Sequence, residues 1–326
     1  MPVNGGRLGQ VNTPSTSVAS GVWGVLDVFL ARLQSTWPIS GGFTVIQTFT
    51  ATSTWTCPAG VTEVEYLVVA GGGSGGTYGA GGGAGGFRIG TLSGLSAGDY
   101  TINVGAGGTQ APYANPGGRG NQGGDSWISG SSITENPSGA GTNTFKAYGG
   151  GGGGARWSNA AQNGGSGGGG MMTGAAGTGD TPSTTPAQGT NGGSGSNPSS
   201  PYYELGGGGG GAGGAGSPST TSAAGNGGVA QTSTITGSTV YYAGGGGGSG
   251  YSATSAAATF GYGGGVSSPA SQKGGGGDGG TFGLTAGAGG SGATNTGVVA
   301  EGAELMPPEV EVQHNLAVQA APVSSY

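Results

Sequence analysis

Three times in this chain a run of apolar and aromatic residues passes directly into glycine: YLVVAGGG at 66–73, TFKAYGGG at 144–151 and TVYYAGGG at 239–246. A strand that ends this way cannot continue on side-chain packing, because glycine has nothing to pack and loses more backbone freedom on ordering than any other residue. Whatever follows must be held by the main chain or not held at all. Glycine fills 88 of 326 positions. Runs of it at 71–73, 81–83, 149–154, 167–170, 206–211, 244–248, 263–265 and 274–277 alternate with short polar or aromatic tips such as RWSNAAQN, TPSTTPAQ, NPSSPYYE, SPSTTSA, YSATSAAATFGY and SSPASQK.

Chains too poor in apolar residues to fold are ordinarily rich in charge. Here charged residues make up only 6%. A collagen helix is excluded, because no Gly-X-Y register survives beyond a few residues. Between Leu205 and Val229 there is no Val, Leu, Ile, Met or aromatic residue, so that stretch has no side chains from which to build a core. Extended threefold helices of the polyproline II kind make no internal hydrogen bonds and leave every N–H and C=O free for neighbours. Without Cβ atoms such helices can pack side by side, and six glycines at about 3.1 Å each span roughly 19 Å, the length of an ordinary strand. The expected fold is therefore mainly β with packed polyglycine II helices, and no conventional hydrophobic core in the glycine-rich half.

The ends differ from the middle. In SGVWGVLDVFLARLQSTWP, Val22, Leu26, Phe29 and Leu33 recur at helical spacing, with Ser20 placed as a cap and Pro38 as a stop. That predicts a short amphipathic helix within an N-terminal segment, residues 1–41. The glycine-rich body then covers 42–297, opening with alternating residues that turn at Pro58-Ala59-Gly60 and carrying further strands in GGFRIGTLSG, GDYTINVGAG, NTFKAYGGG and STITGSTVYYAGGG. An acidic tail, 298–326, follows; in it Val310, Val312, His314, Leu316 and Val318 alternate with Glu311, Gln313, Asn315 and Ala317 as in a half-buried docking strand.

The chemistry available is sparse. His314, the only histidine and so the only candidate base for a nucleophilic triad, lies on the apolar side of the predicted tail strand, and one histidine with one cysteine, Cys57, supplies neither a zinc site nor a disulfide within the chain. Cys57 reads as a small buried hydrophobe. Asp99, Asp125, Glu135, Asp180, Glu204 and Asp278 are isolated acids on polar stretches, and G-x-G-x-x-G matches carry no meaning in this composition. With a net charge of −6 and scattered basic residues there is no stripe for nucleic acid, and no apolar run long enough to span a membrane or to serve as a secretory signal. The expectation is a non-enzymatic protein without cofactor or metal, with no nucleic-acid partner and no membrane insertion. The better functional lead is the aromatic content of the tips: Tyr113, Trp157, Tyr202, Tyr203, Tyr251 and Tyr262 sit among Asn, Ser and Pro, and Tyr and Trp offer large rigid contacts at low entropic cost. The same rings would also serve as covers over the glycine helices.

The blocks STWTCPAGVTEVEYLVVAGGGSGG, GAGGFRIGTLSGLSAGDYTINVGAGG and STVYYAGGGGGSGY resemble the glycine-rich module of phage virion proteins, especially tail fibres and related proteins of marine cyanophages. ASGVWGVLDVFLARLQSTWP is similar to an attachment motif that opens many cyanophage structural proteins. Together the matches cover roughly residues 17 to 297. The resemblance implies a virion protein on the particle exterior, a tail fibre or fibre-associated adhesin, bound to other virion proteins through Val22, Trp23, Leu26, Phe29 and Leu33. It also implies a homo-oligomer, a trimer being favoured, with a host surface glycan or protein met by the tips, as in tail-fibre adhesins built on polyglycine II helices. The alternative within the same family is a connector or decoration protein that binds no receptor. The module would close with a hydrophobic strand after a further glycine run. Here the acidic tail stands in its place, with VEVQHNLAV as the candidate replacement.

Overall fold

The alternating stretch after residue 43 forms three strands, β1 (Val45–Phe49), β2 (Ser53–Cys57) and β3 (Glu63–Val69). The structure is a computed structural model that describes residues 45–111, 118–133, 144–156, 160–198, 203–252, 259–265, 272–280 and 316–320. All but Val45 of these belong to a unit spanning Ile46–Ala321; the expected N-terminal helix lies outside the described residues. The remaining strands are β4 (Phe87–Ser93), β5 (Gly98–Asn103), β6 (Ser126–Ser129), β7 (Thr144–Ala147), β8 (Tyr203–Leu205), β9 (Gln231–Ser233), β10 (Val240–Tyr242), β11 (Gly250–Ser252) and β12 (Leu316–Ala320).

Two four-stranded sheets, ordered β1-β12-β3-β4 and β2-β5-β6-β7, share one apolar cluster. Period two decides which side chains enter it. In β2 Trp55 and Cys57 are buried while Thr54 and Thr56 are exposed, and in β5 Tyr100 and Ile102 alternate in the same way. From β3 come Val64, Tyr66 and Val68; Ile128 and Phe145 come from β6 and β7. Trp55 lies 5.2 Å from Tyr100 and Tyr66 4.3 Å from Phe145, ring centre to ring centre, while the Arg88 guanidinium sits 4.1 Å above the Phe145 ring. The other face of β3 is buried as well: Leu67 and Val69 pack with Phe87, Ile235 and Tyr242 under the β9–β10 hairpin. Each large apolar side chain removed from water contributes about 1.5–3 kcal/mol, so the sandwich end has an ordinary core.

Beyond the strands the cohesion changes kind. In segment 80–86 the N–H groups of Ala80, Gly83 and Gly86 donate to the carbonyls of Gly154, Gly151 and Tyr148, whereas those of Gly81 and Ala84 donate to Gly207 and Gly210. The carbonyls of Ala80, Gly83 and Gly86 accept from Gly76, Gly73 and Ala70, and those of Gly81 and Ala84 from Gly169 and Ser166, all at 2.8–3.1 Å. Every third residue thus addresses the same neighbour. Segment 206–210 repeats the scheme, bonded to residues in 81–84, 167–170, 225–228 and 246–249 and to Gly193 and Ser217. A sheet bonds in one plane; these segments bond around their whole circumference.

Glycine is required here for proximity. A Cβ on Gly209 would lie 1.9 Å from the Gly82 oxygen, on Gly151 1.9 Å from the Gln162 oxygen, and on Gly152 1.9 Å from the Gly120 oxygen. None of the glycines in 71–86, 149–154 or 206–211 has a positive φ, so left-handed backbone is not what selects them.

The hydrogen-bond register also sets the segments side by side in level. Ala70, Gly86 and Tyr148 are bonded at one level, where β3, β4 and β7 meet the glycine. At the other, Gly76 bonds Ala80, Ala80 bonds Gly154, Thr77 bonds Gly118 and Arg156, Gly207 bonds Gly170, and Ser249 bonds Gly79 and Gly206. The two levels are separated by six or so extended residues, roughly 20 Å.

Candidate interaction surface at the loop end

The tips between glycine segments fall into two sets by this register. Those around 181–187, 212–214 and 234–239 turn at the sandwich level. Thr77, Gly118, Arg156, Met171, Ser196, Tyr203, Ala223, Ser252 and Thr259, the described residues that border the other tips, stand at the opposite level. Short β contacts join the second set: Met171 bridges Gly206, Ser196 bridges Leu205, Ala223 bridges Thr259, and β8 pairs with β11 with Tyr251 opposite Glu204 and Ser252 opposite Tyr203. The two tips that carry Tyr203 and Tyr251 are therefore neighbouring strands.

Side chains lock the same level. Arg156 pairs with Glu204, Nε to Oε2 at 2.5 Å and Nη2 to Oε1 at 3.1 Å, and its guanidinium stands 5.8 Å from the Tyr78 ring centre. Both partners are mostly buried, at 23% and 16% side-chain exposure. Tyr78 itself occupies left-handed backbone, with φ 55°. Ser249 Oγ donates to the Gly79 carbonyl at 2.6 Å, tying the first tip to the segment that leads into β11.

Of the tip aromatics expected from sequence, Tyr203 and Tyr251 lie in this paired platform. Tyr262 is exposed, with its ring 5.6 Å edge-on to Phe260 and its N–H donated to Asn226 Oδ1 at 2.8 Å. Tyr113, Trp157 and Tyr202 lie outside the described residues, but Gly118, Arg156 and Tyr203, which border their loops, stand at the loop level. Val22, Trp23, Leu26, Phe29 and Leu33 lie outside the described residues as well. Sequence reasoning missed Arg156 and Glu204 as a pair. The signal was present, since in a chain so poor in charge one tip begins with an arginine and another ends with a glutamate.

The isolated acids are engaged structurally wherever they are described. Asp99 Oδ1 accepts from Thr56 Oγ1, Asp125 pairs with Lys146 at 3.1 Å and accepts from the Gly149 N–H, and Asp278 pairs with Lys273. Asp180 accepts from the N–H groups of Thr184 and Gln188 and from the hydroxyls of Ser183 and Thr184. Glu135 and His314 lie outside the described residues. Among the described residues there is no group of three His, Cys, Asp or Glu fit to hold a metal. Cys57 is buried, with its thiol directed at the Val61 carbonyl, and burial pushes its pKa up. An open cleft of about 370 Å³ at the sandwich end, between Glu65, Ile89, Thr91 and Ser233–Ile235, offers a single carboxylate.

A family model for a glycine-rich domain matches residues 47–300. No curated protein and no solved structure is detectably similar to the chain.

Proposed function

The chain belongs to that glycine-rich domain family, and from this premise we propose that it is a non-enzymatic structural protein of a phage virion, a tail fibre or fibre-associated adhesin that presents host-binding loops. In this reading the glycine segments are polyglycine II helices. The threefold repeat of their hydrogen-bond directions and the lack of room for a Cβ at glycines such as Gly151, Gly152 and Gly209 support that assignment. The body is a stiff spacer: a β-sandwich at its base, a bundle of main-chain rods, and a platform of linked tips at the far level.

The observation that carries the reading is the second set of tips, anchored at the level away from the sandwich and linked there by the pairing of β8 with β11, whose sequences hold rings and small polar residues. A spacer with a polar, aromatic end suits a glycan or protein surface, which rigid amphipathic rings bind at low entropic cost. The N-terminal segment, with Val22, Trp23, Leu26, Phe29 and Leu33 on its helical repeat, is the proposed joint to other virion proteins, and the protein acts as a homo-oligomer on the particle exterior.

The test replaces residues 197–203 by Gly and Ser, leaving Glu204 in place. The variant is expected to assemble normally and to lose binding to susceptible cells; unchanged binding removes these tips from the receptor site. Deleting residues 1–41 is expected to give soluble protein that no longer joins the particle, and normal incorporation refutes the anchor.

A further inference from the structure

Four Asn–Gly pairs occur in the chain, each followed by a second glycine: they begin at Asn4, Asn163, Asn191 and Asn226. Asn4 lies outside the described residues; the other three make one and the same joint. Asn163 Oδ1 accepts the N–H of Thr178, Asn191 Oδ1 that of Gly179 and Asn226 Oδ1 that of Tyr262, all at 2.8 Å. The next N–H in the chain answers the same neighbour: Gly164 donates to the Thr178 carbonyl, Gly192 to Gly177 and Gly227 to Tyr262, at 2.8–3.1 Å. The second glycine turns the other way, with Gly165, Gly193 and Gly228 donating to Gly149, Gly208 and Gly209. The carboxamide oxygen of Asn stands in for a main-chain carbonyl, so each Asn-Gly-Gly grips one segment with its side chain and first glycine and another segment with its second.

Asn–Gly is also a dipeptide especially open to deamidation, because glycine puts no side chain in the way of ring closure. The first step removes the glycine N–H proton to hydroxide. The bared nitrogen attacks the Asn Cγ: the N–Cγ bond forms, the Cγ–Nδ2 bond breaks, and Nδ2 leaves as ammonia after taking a proton from water. Water then opens the cyclic imide at either carbonyl, giving aspartate or, with the side-chain carbonyl left in the main chain, isoaspartate. Both requirements of ring closure are blocked at these joints. The N–H that must lose its proton is already donated to a neighbour, and Gly164 and Gly227 are buried. The carboxamide that must turn onto its own main chain is held by the neighbour's N–H. Exposure by itself would give the opposite expectation, since Asn163 and Asn191 are exposed.

We propose that Asn163, Asn191 and Asn226 are modification sites gated by the glycine segments: shut to deamidation while their joints are bonded, and open when the neighbouring segment detaches. Isoaspartate adds a carbon to the main chain and puts the later hydrogen bonds of that segment out of step, so a joint modified in that way does not close again in register. The inference rests on hydrogen bonds between described residues and stands apart from receptor binding. The test holds the full-length protein at mildly alkaline pH beside synthetic peptides of residues 160–167, 188–195 and 223–230, which serve as the open reference. Peptide mapping by mass spectrometry follows conversion at each Asn, and amide exchange of Gly164, Gly192 and Gly227 is measured alongside. In the folded protein each site is expected to convert at least about tenfold more slowly than in its peptide, the ratio tracking the exchange protection of its own glycine, because both reactions need the same local opening. Conversion as fast in the protein as in the peptides would overturn the proposal. Slow conversion beside a freely exchanging glycine N–H would overturn it as well, since the joint would then not be the gate.

Discussion

At the level of single residues the structure separates two reasons for glycine that composition merges. Gly94 has a φ of +72° and open space around it, so Gly94→Ala is expected to cost only the strain of left-handed backbone, roughly 1–2 kcal/mol. Gly209 has ordinary φ but sits against the Gly82 carbonyl, so a methyl group there must push apart segments bonded to each other's neighbours. Gly209→Ala is expected to cost at least about 3 kcal/mol, or to abolish folding, and thermal unfolding of the two variants side by side measures the contrast. Equal midpoints would mean that the segments are not packed as closely as the main-chain hydrogen bonds require. Cys57 gives a second prediction. Burial raises its pKa, so the neutral thiol is favoured in the fold. Its stabilising effect is fully present below the ordinary thiol range and is lost as the pH climbs through and beyond it. Urea midpoints should therefore fall on the alkaline side, and Cys57→Ser should fall less steeply. Tyr148 and Tyr242, raised chiefly by burial, contribute a further decline of the same sign at higher pH.

At the level of elements, the Arg156–Glu204 pair joins tips that no sheet unites. Glu204→Gln leaves the guanidinium beside a neutral partner and is expected to cost about 1–3 kcal/mol, below the figure for a fully buried pair because both side chains keep some solvent. The effect should be local. Amides of β8 and β11 are expected to exchange faster while those of β3 are unchanged, and the swapped pair Arg156→Glu with Glu204→Arg should recover some of the loss. A loss spread evenly over both ends would remove the pair's role as a tip clamp. This division of labour explains what sequence could show. The strands with period-two burial, β2 and β5, were legible because alternation reports a half-buried face, β3, buried on both faces from Tyr66 onward, as an apolar run passing into glycine, and β4, β7 and β10 because each abuts glycine. β6 is four residues, SWIS, and β8 and β11 are three each, too short for any period to register. The C-terminal alternation was visible, yet its place between β1 and β3 was not, since pairing partners so distant in sequence leave no local trace. The tips were legible as loops. Their sorting into two levels depends on which glycine bonds which, information that identical residues cannot encode locally.

At the level of the whole molecule, two kinds of cohesion share one chain, and they differ in their thermal signature. Unfolding an ordinary domain raises the heat capacity by about 12–15 cal/mol/K per residue, because exposed apolar surface adds about 0.45 cal/mol/K per Å² and exposed polar surface subtracts about 0.26. The sandwich, with Trp55, Tyr66, Ile102 and Phe145 buried, should behave that way. The glycine segments expose peptide groups when they come apart, with few apolar side chains among them, so their contribution should be small or of opposite sign. Calorimetry on the intact protein is expected to give a heat-capacity increment per residue well under the ordinary range, and a stability curve correspondingly flat on cooling, because hydrophobic association, which weakens in the cold, supplies less of the total. Amide exchange distinguishes this outcome from a trivial one. If the increment is low because the glycine segments are open in the native state, Gly81, Gly151 and Gly209 will exchange as freely as unfolded chain. If they are bonded to their neighbours, they will be protected although no large side chain covers them. A low increment with protected glycines is the signature of a body held by its own backbone, whereas an increment in the ordinary range would mean that apolar burial dominates after all.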